Sequence, residues 1–195
     1  MDSSDTNNIE TTRVHESSAI DDALHRMATE IIAANPMIDS LVVLGILRRG
    51  RPLADRLANI IAESTGVTPP VGSLATTLYR DDLHSGVASS KMQGTTHFDF
   101  SVDGQTVLLV DDVLAAGRTI RAALDEVMDY GRPERIQLCC LLDRAGRELP
   151  IQADYLGWTI ETEDADWVSV RLTEFDAEDV VLLERPCEQR DGTGG

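Results

Sequence analysis

The stretch VLLVDDVLAAGRT at positions 107–119 determines how the rest of the chain is interpreted. Its four leading apolar residues are typical of a strand buried on both faces of a parallel sheet, and the carboxylates Asp111 and Asp112 follow directly. Small residues and Gly117 then lead into a helix that the apolar periodicity predicts over Thr119–Tyr130. The backbone N–H groups of such a loop and of the following helix N-terminus form a pocket for phosphate. The pattern therefore predicts an anion site at the edge of a parallel sheet.

Individual residues of this stretch indicate a ligand larger than a phosphate. Gly117 lets the backbone approach the anion closely, Thr119 adds a hydroxyl donor, and Arg118 adds positive charge. Asp111 and Asp112 would repel that phosphate, so they need another partner, for which ribose hydroxyls and a magnesium ion are suitable. The alternative is that the two aspartates only cap the following helix. The complete pattern is far more specific than two adjacent aspartates, and it favours function.

Segments on either side predict an α/β fold with a parallel sheet. Strand–loop–helix units that are followed by a further strand are typical of such a sheet. The carboxyl-terminal runs ADYLGW, WVSVRL and DVVLLE add three short strand-like segments. The other predicted strands cover residues 41–44, 74–79, 106–110 and 136–142, and the other predicted helices cover residues 17–35 and a segment that begins at Pro52.

The chain is predicted to form one domain over residues 15–185. Residues 1–14 are polar and aperiodic, so we expect a flexible lead-in, and residues 186–195 are expected to be a disordered tail. Residues 80–97 show neither the helical nor the strand period, which predicts a flexible lid. Residues 151–184 are markedly acidic and are expected to contribute a small hood to the domain.

Composition argues against several classes of protein. The 195 residues include 34 acidic and 17 basic side chains, a formal net charge of −17, whereas nucleic-acid binders and anionic membrane surfaces require a basic face. The three cysteines and four histidines show no disulfide or metal-ligand spacing. No signal peptide is visible, and no apolar run is long enough to span a membrane. We therefore expect a cytoplasmic protein without membrane association.

The 107–119 stretch resembles the phosphoribosyl-pyrophosphate (PRPP) signature of the type I phosphoribosyltransferases. Within that family, residues 77–83 (TLYRDDL), 131–138 and 142–157 resemble the bifunctional regulators of pyrimidine operons that are also uracil phosphoribosyltransferases. The resemblance extends from about Ser17 to Arg185. It implies a type I phosphoribosyltransferase fold: a central parallel sheet flanked by helices, with a flexible lid loop and a small carboxyl-terminal hood. It also implies that uracil and PRPP are converted to uridine monophosphate (UMP) and pyrophosphate with Mg²⁺.

The resemblance implies a role for each part of the site. Asp111, Asp112 and Arg80 are the implied catalytic residues, and Mg²⁺ is implied to enter with PRPP, with Asp111 as its candidate protein contact. The ribose and 5′-phosphate are implied to lie on the loop formed by Asp111, Asp112, Val113, Leu114, Ala115, Ala116, Gly117, Arg118 and Thr119.

Two further subsites follow from the same resemblance. Arg48, Arg49 and Gly50 resemble the family's pyrophosphate-binding loop, although the two arginines are also consistent with ordinary solvated charges. The uracil ring is implied to lie near Arg144 and against the backbone around Val168.

Residues in the loop also bear on the choice of base. Purine phosphoribosyltransferases typically carry an acid where this chain has Ala115, so the purine branch is disfavoured. A hydroxyl residue is usual in place of Ala116, and the loss of one such hydrogen bond weakens phosphate binding by roughly 0.5–1.5 kcal/mol.

The chain departs from the bifunctional regulators where basic residues are common. Leu47 and Trp158 replace lysines, and Ala145-Gly146 replaces Gly-His. Three hypotheses stay open: a uracil phosphoribosyltransferase with a reduced regulatory role, an RNA-binding regulator that uses the PRPP pocket only as a nucleotide sensor, and a phosphoribosyltransferase for another base. The implied partners are PRPP, uracil, UMP, weakly bound pyrimidine-operon leader RNA, and further copies of the chain in a homodimer or higher homo-oligomer.

Overall fold

The computed structural model describes residues 9–76 and 94–186. Its strands form two sheets, a large parallel sheet that carries the candidate site and a small antiparallel sheet beside it. The elements are β1 (Ile9–Glu16), α1 (Ser17–Ala34), a 3₁₀ turn (Ile38–Ser40), β2 (Leu41–Ile46), α2 (Gly50–Thr65), β3 (Val71–Leu74), β4 (Thr106–Leu114), α3 (Arg118–Tyr130), β5 (Arg135–Arg144), β6 (Tyr155–Ile160), β7 (Trp167–Arg171) and β8 (Val180–Pro186).

The large sheet has the strand order β3-β2-β4-β5-β6, and every pair in it is parallel. Successive side chains of a strand point to opposite faces, so Leu108 and Val110 of β4 pack with α1 and α2, whereas Val107 and Leu109 pack with α3. Both faces of the sheet are therefore covered, which explains why its strands are continuous apolar runs in the sequence. The predicted α/β fold is confirmed.

The small sheet has the order β1-β8-β7 and is antiparallel throughout. Val168, Val170 and Val181 point from it into the same apolar core that α1 and α2 share with the large sheet. The connection between β7 and β8, residues 172–179, has the sequence LTEFDAED and is called the acidic loop below. β7 contributes residues to the cleft described below, and the acidic loop follows it in the chain.

The structure corrects two of the predicted boundaries. Residues 9–14, expected to belong to a flexible lead-in, lie in β1, because their backbone pairs with β8 from Ile9 opposite Pro186 onward. β6 lies within residues 151–184, which were expected to form a hood, but it pairs with β5 and belongs to the large sheet. β7, β8 and the acidic loop lie outside the large sheet.

Two strands also differ from their predicted extent. β3 covers Val71–Leu74 rather than 74–79, because it pairs with β2 from Val43 to Ile46, and residues 77–79 lie outside the described residues. β4 continues through Asp111 to Leu114, because these residues keep pairing with β5. Residues 80–93 of the predicted lid and all of the predicted tail after Pro186 also lie outside the described residues.

The helices of the described residues are too short or too polar to cross a membrane.

Candidate active site

A cleft of about 740 Å³ lies at the carboxyl ends of β2, β4 and β5. One wall is the 111–120 segment that connects β4 to α3, and the opposite wall is the 164–170 segment that leads into and along β7. Arg49 and the residues that follow β5 complete the lining. Ligand sites of open α/β sheets lie at this edge, since the loops after parallel strands converge there.

The β4–α3 loop presents backbone N–H groups to the cleft. Gly117 has a φ of +93°, the left-handed region that favours glycine, and it is the residue from which α3 starts. No side chain in the described part of the chain caps α3, and its first turn contains no acidic residue. The N–H groups of that turn have no intrahelical acceptor, and they carry the positive end of the helix dipole. An anion such as a phosphate can satisfy them.

Residues after β5 hold this loop in shape. The carbonyl oxygen of Ala116 accepts hydrogen bonds from the backbone N–H groups of residues 148–149, both at 3.1 Å. The guanidinium of Arg147 donates to the carbonyl oxygen of Ala115 and lies 2.5 Å from a carboxylate oxygen of Asp143. These hydrogen bonds restrain the backbone of the loop that lines the cleft.

The two predicted carboxylates lie in the cleft lining, at the end of β4. Asp111 is buried, and its Oδ1 accepts the backbone N–H of Asp112 at 3.0 Å. Asp112 is half-buried. Across residues 9–76 and 94–186, no group of three or more His, Cys, Asp or Glu side chains is arranged to hold a metal ion. A cation here would therefore need oxygen ligands from a bound substrate as well as from the protein.

Arg118 and Thr119 line the same wall, with different consequences. Nε and Nη2 of Arg118 lie 3.0 and 2.5 Å from Oε2 of Glu148, and both side chains are more than half exposed. The charge that the sequence predicts for phosphate binding is thus shared with a carboxylate. Thr119 stands in the first turn of α3, beside the N–H groups.

Only one of the three residues predicted to bind pyrophosphate lines the cleft. Arg49 does so, and its Nε is buried without a hydrogen-bond partner among the described residues. The guanidinium of Arg48 instead lies over the ring of Phe175, 5.1 Å from its centroid. Gly50 opens α2 where a Cβ atom would collide with the carbonyl oxygen of Val110, so this glycine permits close packing of α2 on β4.

The predicted base-binding residues both line the cleft. Arg144 ends β5, and Val168 lies on β7. Nε of Arg144 and Oγ of Ser169 are buried polar atoms without a partner in the described ranges. Ser169 was not predicted, although the alternation of β7, which buries Val168 and Val170, places it on the opposite face from them. The predicted catalytic Arg80 lies outside the described residues.

Comparisons with known proteins agree with this geometry. Residues 10–174 match the family described as the phosphoribosyl transferase domain. The chain is 51% identical over 176 residues to the bifunctional protein PyrR of Pelotomaculum thermopropionicum, covering 90% of this chain and 97% of that protein. It is 43% identical to the PyrR protein of Clostridioides difficile, covering 90% and 99%. The chain belongs to the PyrR family.

Solved structures support the fold of this PyrR-family chain. A hypoxanthine-guanine phosphoribosyltransferase from Bacillus anthracis superposes with a TM-score of 0.61 at 20% identity, covering 83% of this chain and 88% of that one. A hypoxanthine phosphoribosyltransferase from Trypanosoma cruzi gives 0.63 at 19% identity, covering 88% and 90%. At this level of identity the likeness establishes the type I phosphoribosyltransferase fold.

Proposed function

We propose that this PyrR-family protein transfers the phosphoribosyl group of PRPP to uracil, producing UMP and pyrophosphate. The observation that carries the proposal is the arrangement of polar groups at four places around one cleft. The uncapped start of α3 supports a 5′-phosphate, the end of β4 offers carboxylates for the ribose, and Arg49 and Arg144 bring unpartnered buried donors to two other parts of the lining. This set matches the anionic, polyhydroxyl and heterocyclic parts of the two substrates.

The chemistry explains why such a site is useful. Uracil N1 loses its proton and bonds to C1 of the ribose, while the bond from C1 to the pyrophosphate oxygen breaks and its electron pair leaves with pyrophosphate. Charge develops on the ribose ring and on the leaving group in the transition state, so preorganised dipoles and cations stabilise it. The loop N–H groups fix the 5′-phosphate, Asp112 orients the ribose, and Arg49 accepts the charge of the leaving pyrophosphate.

Mg²⁺ fits the residues of this site as a substrate-borne cation. The ion usually keeps several waters and binds to proteins through one or two carboxylates together with substrate oxygens. Asp111 and Asp112 provide two adjacent carboxylates at the end of β4, and the described residues offer no larger cluster. When bound, Mg²⁺ supplies positive charge that neutralises the pyrophosphate group of PRPP.

Uracil is the preferred base because Ala115 cannot provide the carboxylate that purine enzymes place near the ring. Its methyl group lines the cleft and its carbonyl oxygen is already bound by Arg147. The test is incubation with PRPP, Mg²⁺ and uracil, cytosine, hypoxanthine or orotate in turn, with release of pyrophosphate measured. We expect turnover with uracil alone. Turnover with hypoxanthine would refute the assignment and favour a phosphoribosyltransferase for another base.

The second candidate function is regulation through pyrimidine-operon leader RNA, for which we propose only weak binding. Two arginines that could contribute to a basic face, Arg13 and Arg26, are bound to acceptors of the protein itself. Arg13 lies 2.7 and 2.8 Å from carboxylate oxygens of Glu16 and Glu178. Arg26 donates to the carbonyl oxygens of two residues of β6. RNA phosphates would have to replace these acceptors and tolerate their charge, against a protomer at −17.

A salt-dependent filter-binding titration with the leader of the source organism's pyrimidine operon separates the two functions. We expect a dissociation constant no tighter than about 1 μM at physiological salt and less than about tenfold tightening by UMP. Nanomolar binding that depends on UMP would favour the regulator that uses its PRPP pocket as a sensor. The cleft itself is expected under both hypotheses, so its presence does not distinguish them.

A further inference from the structure

Arginines from three elements converge on the acidic loop, residues 172–179. Arg56 of α2 binds Glu174 and Asp179, and Arg13 of β1 binds Glu178. Arg49, which precedes α2, binds Asp176 with Nη2 at 3.2 and 3.4 Å from the two carboxylate oxygens. Of these three arginines only Arg49 lines the cleft, so its contact with Asp176 is the one through which the loop reaches the site.

Two hydrogen bonds to the backbone of Leu172 hold Asp176 in place. Its Oδ2 accepts the N–H of Leu172 at 3.0 Å, and its own N–H donates to the carbonyl oxygen of Leu172 at 2.7 Å. Its side chain is 24% exposed and that of Arg49 is 32% exposed, so the pair is partly shielded from water. A carboxylate held in this way provides an acceptor at a fixed position for the Arg49 guanidinium.

The contact leaves most of the guanidinium available for a ligand. Arginine has five N–H donors in a planar fork, and Asp176 engages only those on Nη2. Nε of Arg49 is buried and finds no acceptor among the described residues. Arg49 can therefore hold Asp176 with one nitrogen and bind an anion with the rest, so the carboxylate does not need to leave when the anion arrives.

We propose that Asp176 is a positioning residue for Arg49 at the pyrophosphate end of the cleft. Asp176 touches no substrate; it restricts the rotamers of Arg49, so that less conformational freedom is lost when pyrophosphate or the pyrophosphate group of PRPP binds. The inference rests on the proposed function, because it assigns the pyrophosphate group to Arg49.

The test is the substitution Asp176→Asn, with binding of magnesium pyrophosphate measured by titration calorimetry. Asparagine can keep the hydrogen bond from Leu172 through a carbonyl oxygen in the place of Oδ2, which also accepts from Nη2 of Arg49 at 3.2 Å. Its amide nitrogen then takes the place of Oδ1 and cannot accept from Arg49, and the negative charge that attracts the guanidinium is lost. We expect pyrophosphate affinity and PRPP KM to worsen by about tenfold, with the KM for uracil changed less than about twofold.

The acidic loop itself contains a matched control. Asp179 also accepts a backbone N–H, from Thr173 at 2.7 Å, and also binds one arginine, but that arginine is Arg56, which does not line the cleft. Asp179→Asn should therefore lower thermal stability at least as much as Asp176→Asn while leaving pyrophosphate affinity unchanged. An equal loss of affinity in both variants would mean that loosening the loop is enough, and would overturn the proposal.

A double substitution with Arg49→Met decides whether Asp176 acts through Arg49. In that background Asp176→Asn should change pyrophosphate affinity by less than about twofold, since the positioned group is gone. A further tenfold loss there would overturn the proposal, as would unchanged or tighter binding by Asp176→Asn alone, the result expected if the carboxylate competed with pyrophosphate. If Asp176→Asn is too unstable to study, Asp176→Glu takes its place. The longer side chain displaces the carboxylate, so it should lower pyrophosphate affinity when Arg49 is present and leave it unchanged in the Arg49→Met background.

Failure of the proposed function would be recognised separately. It would be seen as wild-type protein that releases no pyrophosphate from PRPP with uracil. Binding of magnesium pyrophosphate to the wild-type protein needs no base and no turnover, so the comparison among the Asp176, Asp179 and Arg49 variants would still give a result.

Discussion

The two walls of the cleft are held in place by different kinds of interaction. The β4–α3 wall is shaped by backbone groups: carbonyl oxygens of Ala115 and Ala116 accept hydrogen bonds, and Gly117 turns the chain into α3. The opposite wall, residues 164–170, continues through β7 into the acidic loop, which does not line the cleft and is held by ion pairs with Arg56 of α2, Arg13 of β1 and Arg49. We infer that the first wall carries most of the chemistry and that the second carries stability and fine positioning.

Hydrogen bonding and burial shift the pKa values of side chains in these parts of the molecule in different directions. On the acidic loop, the hydrogen bond from Arg56 holds the pKa of Asp179 below its usual range and raises that of Arg56 itself. Burial has the opposite effect on a thiol of the large sheet: it raises the pKa of Cys139 in β5 to about 12. The acidic loop is therefore expected to lose stability in acid.

The largest effect is expected at the end of β4. Asp112→Asn should reduce uracil phosphoribosyltransferase activity by at least about tenfold, because the carboxylate orients the ribose most strongly in the transition state. Asp112 is half-buried in the cleft and lies outside the apolar core. The substitution should therefore change the unfolding free energy of the protein by less than about 1 kcal/mol. Steady-state kinetics measure the activity, and urea unfolding measures the unfolding free energy. A variant that is unstable but fully active when folded would support a capping role instead.

The opposite pattern is expected on the acidic loop. Arg56→Met should lower the unfolding free energy by roughly 1 kcal/mol, because it leaves Asp179, which is 11% exposed, without its arginine; Glu174 is too exposed to add much. Activity below the melting temperature should change less than about twofold. Urea denaturation compares this variant with Arg51→Met on the same helix, where the lost pair with Asp55 is more exposed. Equal losses would remove the distinction between the walls.

The β4–α3 wall could be predicted because its sequence signals are local. The apolar run, the carboxylates and Gly117 lie within thirteen residues, and the structure keeps them in that order at one edge of the sheet. What could not be predicted is how far β4 extends, because its pairing beyond Val110 depends on β5, about thirty residues later.

The acidic loop could not be predicted in the same way. Arg56 and Asp179 are 123 residues apart, and each is an ordinary charged residue in its own segment. β1 was missed for a related reason: its first five residues are exposed, and its partner β8 lies at the other end of the described chain. Ser169 and Asp176 become candidate site residues only when β7 is placed beside β4 and the acidic loop beside Arg49.

Acid should lower the stability that the acidic loop contributes. The hydrogen bond from Arg56 lowers the pKa of Asp179, so near pH 4 the unfolded chain binds a proton that the folded chain does not. This stability is complete above the unfolded pKa and is lost as pH falls through the folded pKa. The unfolding free energies of wild type and Asp179→Asn should therefore converge between pH 6 and pH 3. The control is Asp99→Asn, a substitution of an exposed acid before β4.

The smallest change in stability is expected at a contact between the two sheets that involves no permanently charged side chain. The ring of His15 in β1 stacks on Trp158 in β6, with centroids 3.8 Å apart and an angle of 12° between the planes. Burial lowers the pKa of His15, so the unfolded chain binds more protons between the two pKa values, and stability declines as pH falls from about 7.5 to 5.5.

His15→Phe keeps the stacked contact and cannot titrate, so it should lose less stability than wild type over that interval. The difference should be only a few tenths of a kcal/mol, because attraction between an imidazolium and the indole face offsets part of the cost of burying the charge. Thermal unfolding at pH 5.5, 6.5 and 7.5 measures it, with His25→Gln, an exposed histidine of α1, as the control. If wild type gains stability on acidification relative to His15→Phe, the cation–π attraction exceeds the cost of burial. The contact between the sheets would then be strengthened by acid, whereas the arginine-tied loop is weakened.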